Sequence, residues 1–281
     1  MHPVLFQLGA LPLTSYGVGL ALAFAIGTGV AMRRARTAGL DAEHVLEAAM
    51  LILVSALVGA RLFHVWMNPA EFEGVSWGSA LSPFAPDGAV AGVVGLSVMG
   101  GLPAALGAAF LFLRWRADDG WALMDVMAPS VALGAGITRI GCFLNGCCFG
   151  RVCDWPWAVR FPADSLPGLT LPGAMLHPSQ LYQAAAGFGL FALLLLYART
   201  SPPKGSIVAG LVAGMGLQRL IAEWFRHHDA HEVAVHVGAL ELTTYQLVAA
   251  GLVLTGVALW SRAGQHAVEP REQTAGRRRT A

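Results

Sequence analysis

The chain contains seven apolar stretches that are each long enough to form a membrane-spanning helix. They cover roughly residues 14 to 32, 44 to 66, 89 to 113, 121 to 143, 180 to 198, 205 to 225 and 244 to 261. About 20 apolar residues in a helix cross the hydrocarbon core of a bilayer. Only 12% of the residues are charged and the mean hydropathy is +0.59, whereas about a quarter of a soluble domain is charged. We therefore predict an all-α integral membrane protein with seven transmembrane helices.

The basic residues predict how these helices are oriented, because Lys and Arg accumulate in cytoplasmic loops. Twelve of the 18 basic residues follow the first, third, fifth or seventh stretch. They are Arg33, Arg34, Arg36, Arg114, Arg116, Arg199, Lys204, Arg262, Arg271, Arg277, Arg278 and Arg279. We predict an N-terminus outside, a C-terminus in the cytoplasm, one transmembrane domain at residues 1–262 and a polar, basic, disordered cytoplasmic tail at 263–281. The Trp- and Pro-rich segment 145–178 is expected to form an outer interfacial loop or arm between spans four and five.

Arg139 and Arg219 each lie inside an apolar stretch. A charge at the centre of a bilayer costs roughly 2.5 to 3.5 kcal/mol, so such residues face a partner, a water-filled cavity or a polar ligand. Arg219, Glu223 and Arg226 are spaced to share one helix face, either as a functional group or as a structural ion pair. Arg61 is explained equally well by a side chain that reaches from a helix end to the interface. The arginines predict that the protein handles an anionic group in or near the membrane.

Four cysteines fall within twelve residues at the outer end of span four: Cys142, Cys147, Cys148 and Cys153. Their spacing is not the paired C-x-x-C form of zinc sites, so we expect no metal there. A disulfide and simple packing both remain open. His227, His228 and His231 are expected to lie in a loop and to bind no metal either. No basic patch with interleaved aromatic residues indicates nucleic-acid binding.

Glycines recur in the spans, where small residues let helices approach closely. Most are therefore expected to serve packing. Gly100 and Gly101 have a second interpretation, in which they open the backbone to a lipid head group.

Two motifs resemble those of a known family. Residues 138–151 read TRIGCFLNGCCFGR and resemble the G-R-x-G-x-F-x-N-G-x-x-x-G-R signature of the phosphatidylglycerol:prolipoprotein diacylglyceryl transferases, with Thr138 in place of the opening Gly. Residues 177–182 read HPSQLY, which is similar to a second motif of that family. Other matching positions occur in the same order: Tyr16-Gly17, Gly59-Ala60-Arg61, Arg219, Glu223-Trp224-Phe225-Arg226, Asp229 and Gln246. The resemblance covers about residues 10 to 260 and includes the seven-span, N-outside arrangement.

The resemblance implies a multi-pass enzyme of the bacterial cytoplasmic (inner) membrane that needs no cofactor. It would move the diacylglyceryl unit of phosphatidylglycerol to the lipobox cysteine thiol of a preprolipoprotein, forming a thioether and releasing glycerol phosphate. Arg139 and Arg219 would hold the phosphate, since guanidinium groups bind phosphate in a bidentate manner. Tyr16, Asn145, Gln180 and Tyr182 would bind glycerol hydroxyls or ester carbonyls, with hydrogen bonding between helices as an equal alternative. The other positions expected to line the substrate site are Arg61, Gly100, Gly101, Gly146, Gly150, Arg151, Ser179, Glu223, Arg226 and Gln246.

Two positions depart from the family pattern. Met99-Gly100-Gly101 stands where the family has His-Gly-Gly, so a candidate base for the acceptor thiol is absent, and Gln183 stands where the family usually has Glu. A positioned base is worth about 10² to 10⁴ in rate, whereas a free thiol is already a few per cent ionised at neutral pH. His177, and less plausibly His64, are candidate substitutes for the missing base.

These departures leave alternatives open. The first is a divergent paralogue that has changed its acceptor or lost catalysis and acts as a membrane lipid-binding protein. The second is a small anion transporter, which the absence of an inverted repeat makes weak.

Overall fold

The computed structural model describes residues 4–8, 11–72, 96–116, 119–226, 233–237 and 240–277, most of them helical. In chain order the helices are α1 (Ser15–Thr37), α2 (Ala42–Met67), α3 (Val98–Trp115), α4 (Gly120–Asn145), α5 (Leu166–Thr170), α6 (Ser179–Ala198), α7 (Ser206–Glu223) and α8 (Thr244–Arg277). A 3₁₀ turn, Pro69–Phe72, follows α2.

Among the described residues, three two-stranded antiparallel sheets precede or connect the helices. β1 (Val4–Leu8) pairs with β2 (Leu11–Thr14), β3 (Val159–Arg160) with β4 (Met175–Leu176), and β5 (Val233–Val237) with β6 (Leu240–Thr243). In the middle sheet Val159 faces Leu176 and Arg160 faces Met175. This sheet closes the loop between α4 and α6 into an ordered unit.

Six helical segments among the described residues are long and apolar enough to cross a membrane. They are α1, α2, α4, α6, α7 and the part of α8 from Thr244 to Gly264. α3 is a shorter apolar helix, and residues 89–95 of the predicted third span lie outside the described residues. The prediction of a predominantly helical membrane protein is confirmed, and the number of crossings stays a prediction. The backbone of α8 continues past the predicted end of span seven, while the domain boundary at residue 262 and the disordered tail stay predictions.

Small residues let the helices cross closely. α4 packs between α1 and α6, α2 packs on α3, and α7 packs on α8. A Cβ added to Gly19 of α1 would lie 3.1 Å from the Cα of Gly141 in α4. A Cβ added to Gly187 of α6 would lie 2.9 Å from the backbone nitrogen of Gly136. These contacts bring the backbones of three helices together, as small residues do between membrane helices.

One end of the bundle, which we call the basic end, contains the C-termini of α1, α3 and α6 and the N-termini of α4 and α7. Arg34 donates to the Val126 carbonyl over 3.0 Å, Arg116 pairs with Glu47 at 3.0 Å, and Lys204 pairs with Asp119. These contacts tie the helices at this end by polar groups that are partly or largely exposed.

The N-terminus of α7 is capped by a carboxylate from another helix. Its N-cap residue is Gly205, which has no side chain to accept hydrogen bonds and adopts a φ of 85°. The buried Asp125 of α4 accepts from the Gly205 N–H over 2.6 Å and from the Val208 N–H over 2.8 Å. Helix N-termini leave N–H groups unsatisfied, so this carboxylate stabilises α7 and fixes it against α4.

Candidate functional site

Three guanidinium groups lie together at the opposite end of the bundle, which we call the site end. Arg139 is near the end of α4, Arg219 is in α7, and Arg226 follows α7. Arg139 lies close enough to Arg219 to interact electrostatically, and so does Arg226. The structure therefore brings the two predicted intramembrane arginines together from separate helices. Their contact with phosphate stays a prediction.

Glu223 is the acidic member of this arginine cluster. Its side chain is fully buried, and its carboxylate lies 2.5 Å from Arg219 and 3.7 Å from Arg226. The Thr243 hydroxyl donates to it over 3.4 Å. The described charged side chains of the cluster are three arginines and one glutamate, so the cluster carries excess positive charge. The arrangement suits an anionic ligand, since charged hydrogen bonds are strong where water is excluded.

Tyr245, at the start of α8, supports the same two arginines from another direction. Its ring centre lies 4.8 Å from the guanidinium carbon of Arg219 and 5.9 Å from that of Arg226. Such cation–π contacts hold the planar groups in place without neutralising them.

A tight loop after α4 places the cysteines beside the arginines. Gly146 ends the helix with a φ of 79° and donates to the carbonyls of Cys142 and Phe143. A φ in this region is favoured by glycine, which explains why Gly is needed at this helix end. The sulfur atoms of Cys142, Cys147 and Cys148 all lie within 4.8 Å of one another. We call these three residues the thiol cluster.

Two side chains from the start of α6 hold the loop from behind. Ser179 donates to the Cys148 carbonyl over 2.9 Å, and Gln180 donates to the Cys147 carbonyl over 2.7 Å. Both residues are almost completely buried. Cys148 adopts a φ of 59°, which a non-glycine residue rarely does. The predicted substrate contacts of Ser179 and Gln180 stay predictions, and in the structure both support the loop backbone.

Gly150 lies where three segments cross. Its N–H donates to the His177 carbonyl over 3.1 Å, and the Arg151 N–H donates to the Phe225 carbonyl over 3.0 Å. A Cβ on Gly150 would collide with the carbonyl oxygens of His177 and Phe225. The glycine is therefore explained by backbone contact. The Arg151 side chain is exposed.

His177 lies in an aromatic cluster next to this crossing. Its Nδ1 is 3.1 Å from the Tyr182 hydroxyl, which also accepts a 2.7 Å hydrogen bond from Trp157. Burial, and then the charge of Arg151, lower the pKa of His177 below its usual value. The imidazole is therefore neutral at neutral pH, as a proton acceptor must be. Its role as a base stays a prediction.

An apolar cavity of about 280 Å³ opens between α6 and α7 beside this aromatic cluster. Its lining residues are Trp155, Trp157, Tyr182, Gln183, Ala186, Gln218, Ile221, Ala222 and Phe225. The side chain of Gln218 donates to the Gln183 carbonyl over 3.2 Å and so joins the two helices. The cavity has the apolar character and location expected of space for a lipid chain.

Tyr16 and Asn145 lie at the thiol cluster. Tyr16, the second residue of α1, is close enough to Arg139 and to all three thiols to interact electrostatically. Asn145, the last residue of α4, hydrogen-bonds the Cys147 thiol. The structure thus brings both predicted residues to the thiol cluster, and Tyr16 also to Arg139.

Gln246 has a local structural role. Its side chain accepts from the Thr243 N–H over 3.0 Å, and its own N–H donates to the Thr243 hydroxyl over 3.2 Å. This reciprocal pair is a capping box that begins α8. Because Thr243 also contacts Glu223, the cap connects α8 to the arginine cluster.

Gly100 and Gly101 lie where α3 crosses α2. A Cβ on Gly100 would collide with the Gly59 carbonyl oxygen, and one on Gly101 would lie 3.1 Å from the Ala56 oxygen. Of the two interpretations of these glycines, packing is supported by direct contacts.

Arg61 stacks over Phe72 at 5.4 Å, and the Met99 side chain is 66% exposed.

Sequence reasoning missed several residues of the site, among them Thr243, Tyr245, Trp155 and Trp157. A Thr followed three residues later by Gln at the start of an apolar run is a capping-box pattern, and this signal could have identified Thr243. Nothing in the sequence around Tyr245, Trp155 and Trp157 indicates which residues they contact. His227, His228, Asp229 and His231 lie outside the described residues.

Comparison with known proteins gives a consistent result. The chain matches the family model described as prolipoprotein diacylglyceryl transferase over residues 3–262. It is 32% identical over 274 residues to the phosphatidylglycerol–prolipoprotein diacylglyceryl transferase of Methylibium petroleiphilum, covering 94% of this chain and 97% of the relative. The protein of the same name from Parasynechococcus marenigrum is also 32% identical, with 92% of each chain covered. The one from Pasteurella multocida is 30% identical, with 96% of this chain and 95% of the relative covered.

Proposed function

Because this chain belongs to the prolipoprotein diacylglyceryl transferase family, we propose that it transfers the diacylglyceryl group of phosphatidylglycerol to the lipobox cysteine of a preprolipoprotein. The relatives above carry both substrates in their names. The product is a thioether-linked diacylglyceryl cysteine, and the leaving group is glycerol phosphate.

The arginine cluster is the observation that carries this proposal. As the bond between glyceryl carbon and phosphate oxygen breaks, negative charge builds on the phosphate. Arg139 and Arg219 would hold the phosphate, and Arg226 adds positive charge beside them. Groups fixed in advance around a developing charge supply much of the rate enhancement of many enzymes. Glu223 holds Arg219 and Arg226 in orientation while leaving positive charge for the ligand.

The lipid and the acceptor thiol need different surroundings. The apolar cavity between α6 and α7 would take an acyl chain, while the hydroxyl and amide groups of Tyr16, Asn145 and Tyr182 would bind glycerol hydroxyls or ester carbonyls. His177, kept neutral by burial, is a candidate to accept a proton from the thiol. We assign these roles as part of the same proposal, together with lipid contacts by Arg61, Arg151 and Gln246.

The location belongs to the proposal too. Seven membrane crossings, with the N-terminus outside and the basic end in the cytoplasm of a bacterial inner membrane, would place the arginine cluster in the outer leaflet. Arg116 and Lys204 at the basic end fit the accumulation of positive charge on the cytoplasmic side. The preprolipoprotein cysteine would then meet the lipid at the outer surface.

A transfer assay with mass detection tests the proposal. Purified protein in vesicles of phosphatidylglycerol is incubated with a lipobox peptide, and the peptide is expected to gain the mass of a diacylglyceryl group. Arg139→Ala should lower the rate by about 10²- to 10³-fold, as loss of one preorganised donor does. Arg116→Ala, at the basic end, serves as the matched control and should leave the rate unchanged. Wild-type protein that forms no adduct, or equal rates for the two variants, would reject the proposal.

A further inference from the structure

The thiol cluster has the geometry of a metal site. Cys142, Cys147 and Cys148 place three sulfur atoms within 4.8 Å of one another. In a tetrahedral zinc site with bonds of about 2.3 Å, the sulfur atoms are about 3.8 Å apart. Small side-chain rotations would therefore bring all three onto one ion. Sequence spacing did not reveal this, because the turn at Gly146 brings Cys147 and Cys148 back to the last turn of α4.

The loop that carries the cluster is held rigidly. Ser179 and Gln180 fix the carbonyls of Cys148 and Cys147, and both side chains are almost completely buried. Cys148 keeps a positive φ of 59°, a conformation that costs energy unless the surroundings enforce it. Rigid support of this kind preorganises ligands for an ion, since little ordering remains to be done on binding.

The electrostatic surroundings suit a thiolate-bound ion. Three thiolates and one divalent ion carry a net charge of −1, and an isolated charge of this kind is costly to bury. Arg139 and Arg226 lie close enough to Cys148 to interact electrostatically. The two guanidinium groups would offset the charge. The same arginines belong to the proposed phosphate site, so the ion would lie next to the reacting groups.

The number of ligands distinguishes two kinds of zinc site. Structural sites use four protein ligands, whereas catalytic sites use three and keep the fourth position for water or substrate. Among the described residues this group contains three ligands, all of them thiols. The arrangement matches the open type.

We propose that Cys142, Cys147 and Cys148 bind a zinc-class divalent ion whose open fourth position takes the acceptor thiol of the lipobox peptide. Binding of the ion does not depend on the proposed function, whereas the role of the ion in the reaction rests on that function. Zinc-class ions bind thiols in the deprotonated form. This would supply the thiolate without the His that Met99 replaces.

The step balances without a redox partner. The acceptor thiol displaces water from the ion and releases its proton to the neutral His177, the base assigned in the proposed function. The bound thiolate then attacks the glyceryl carbon that bears the phosphate, forming the carbon–sulfur bond as the carbon–oxygen bond breaks. The electron pair of that bond leaves with the phosphate oxygen, which the arginines hold. The ion keeps its charge throughout.

Metal content and cobalt spectroscopy test the site without any activity measurement. Protein purified without chelators should contain about one zinc ion per chain by elemental mass spectrometry. Chelator-treated protein titrated with Co²⁺ should develop sulfur-to-cobalt charge-transfer absorption. Cys148→Ser should reduce this band, and Cys153→Ser, a buried cysteine outside the cluster, should leave it unchanged. The metal site is rejected if the wild-type protein contains no metal and develops no cobalt–sulfur band. A disulfide within the cluster after purification would reject it as well.

A peptide titration tests the role of the open position. A lipobox peptide added to the cobalt-loaded protein should strengthen the charge-transfer band, and the same peptide with Ser in place of Cys should not. Identical spectra for the two peptides would overturn the acceptor role. If metal-free protein transfers the diacylglyceryl group at the full rate, this inference fails and the proposed function stands. If no preparation transfers it, the proposed function fails while the cobalt data still decide whether the ion binds.

Discussion

The two ends of the helix bundle use the same kinds of charged residue in opposite ways. At the basic end Arg116 and Glu47 form a one-to-one pair whose side chains are 59% and 44% exposed. At the site end Arg219 and Arg226 surround Glu223, which is fully buried. Exposed pairs contribute little to stability because water already satisfies each partner. Buried charges depend on their partners, so removing a partner should cost more stability at the site end than at the basic end.

The largest expected effect comes from removing Glu223, the one carboxylate found in the arginine cluster among the described residues. Glu223→Gln leaves two partly buried guanidinium groups without their described counter-charge and should lower the free energy of unfolding by about 3 to 5 kcal/mol. Glu47→Gln at the basic end should cost less than about 1 kcal/mol. Denaturant unfolding in detergent measures both. Equal losses would show that the contrast between the two ends is wrong.

The next largest effect concerns close backbone packing where α3 crosses α2. A Cβ on Gly100 would overlap the Gly59 carbonyl, whereas one on Gly107 of the same helix meets nothing within 4 Å. Gly100→Ala should cost about 1 to 3 kcal/mol by overpacking. Gly107→Ala should be neutral or slightly stabilising, because Ala favours helix. The melting temperature of each variant measures the effect. A Gly100→Ala protein as stable as the wild type would contradict the close crossing of α2 and α3.

A smaller effect is the dependence of folding stability on pH, which should differ between the two ends of the bundle. Burial and Arg151 lower the pKa of folded His177, so the unfolded chain binds a proton first as pH falls below about 6.5. Stability is therefore complete above that pH and declines as pH falls toward the lowered pKa. His177→Gln should remove this decline below about pH 6.5, measured by melting temperature.

The contribution of the basic end to folding stability should be lost at a lower pH than the contribution of His177. Hydrogen bonds from Lys204 and the Ala122 N–H lower the pKa of Asp119. Its stabilising contribution is present above the ordinary carboxyl pKa of about 3.9 and is lost only as pH falls through the depressed value. A decline that still begins near about pH 6.5 in His177→Gln would count against the assignment to His177.

The smallest expected effect concerns the missing imidazole. Met99 is largely exposed at the start of α3, and the proposed metal would already supply a thiolate. Met99→His should therefore leave the transfer rate near that of the wild type, where restoration of a required base would raise it by about 10²-fold. The peptide assay measures the ratio. A large gain would show that the site end works as a weakened base-dependent enzyme.

The sequence predicted those features whose physics is local. Apolar length indicated the spanning helices, and the cost of burying a charge singled out Arg139 and Arg219 as functional candidates. Gly146, Gly150, Ser179 and Gln180 were found through family resemblance, but the resemblance could not show that they shape and support a loop.

Features that depend on long-range packing were not predictable. The spacing of Cys142, Cys147 and Cys148 argued against a metal site, yet a left-handed glycine turn brings the sulfurs together. Tyr245 at the start of α8 contacts Arg219, and Thr243 at the end of β6 contacts Glu223, although both lie about twenty residues later in the chain. Only the packing of α8 on α7 creates those contacts.

Asp125 fixes the first turn of α7 against α4. A helix of 18 residues is about 27 Å long, and hydrogen bonds at its first turn set its height along the bundle. Any shift of that carboxylate would be carried along the rod to the guanidinium of Arg219 at the far end. If Arg219 holds a lipid phosphate as proposed, the height of that phosphate along the bundle is set in part by an acid at the opposite end of α7.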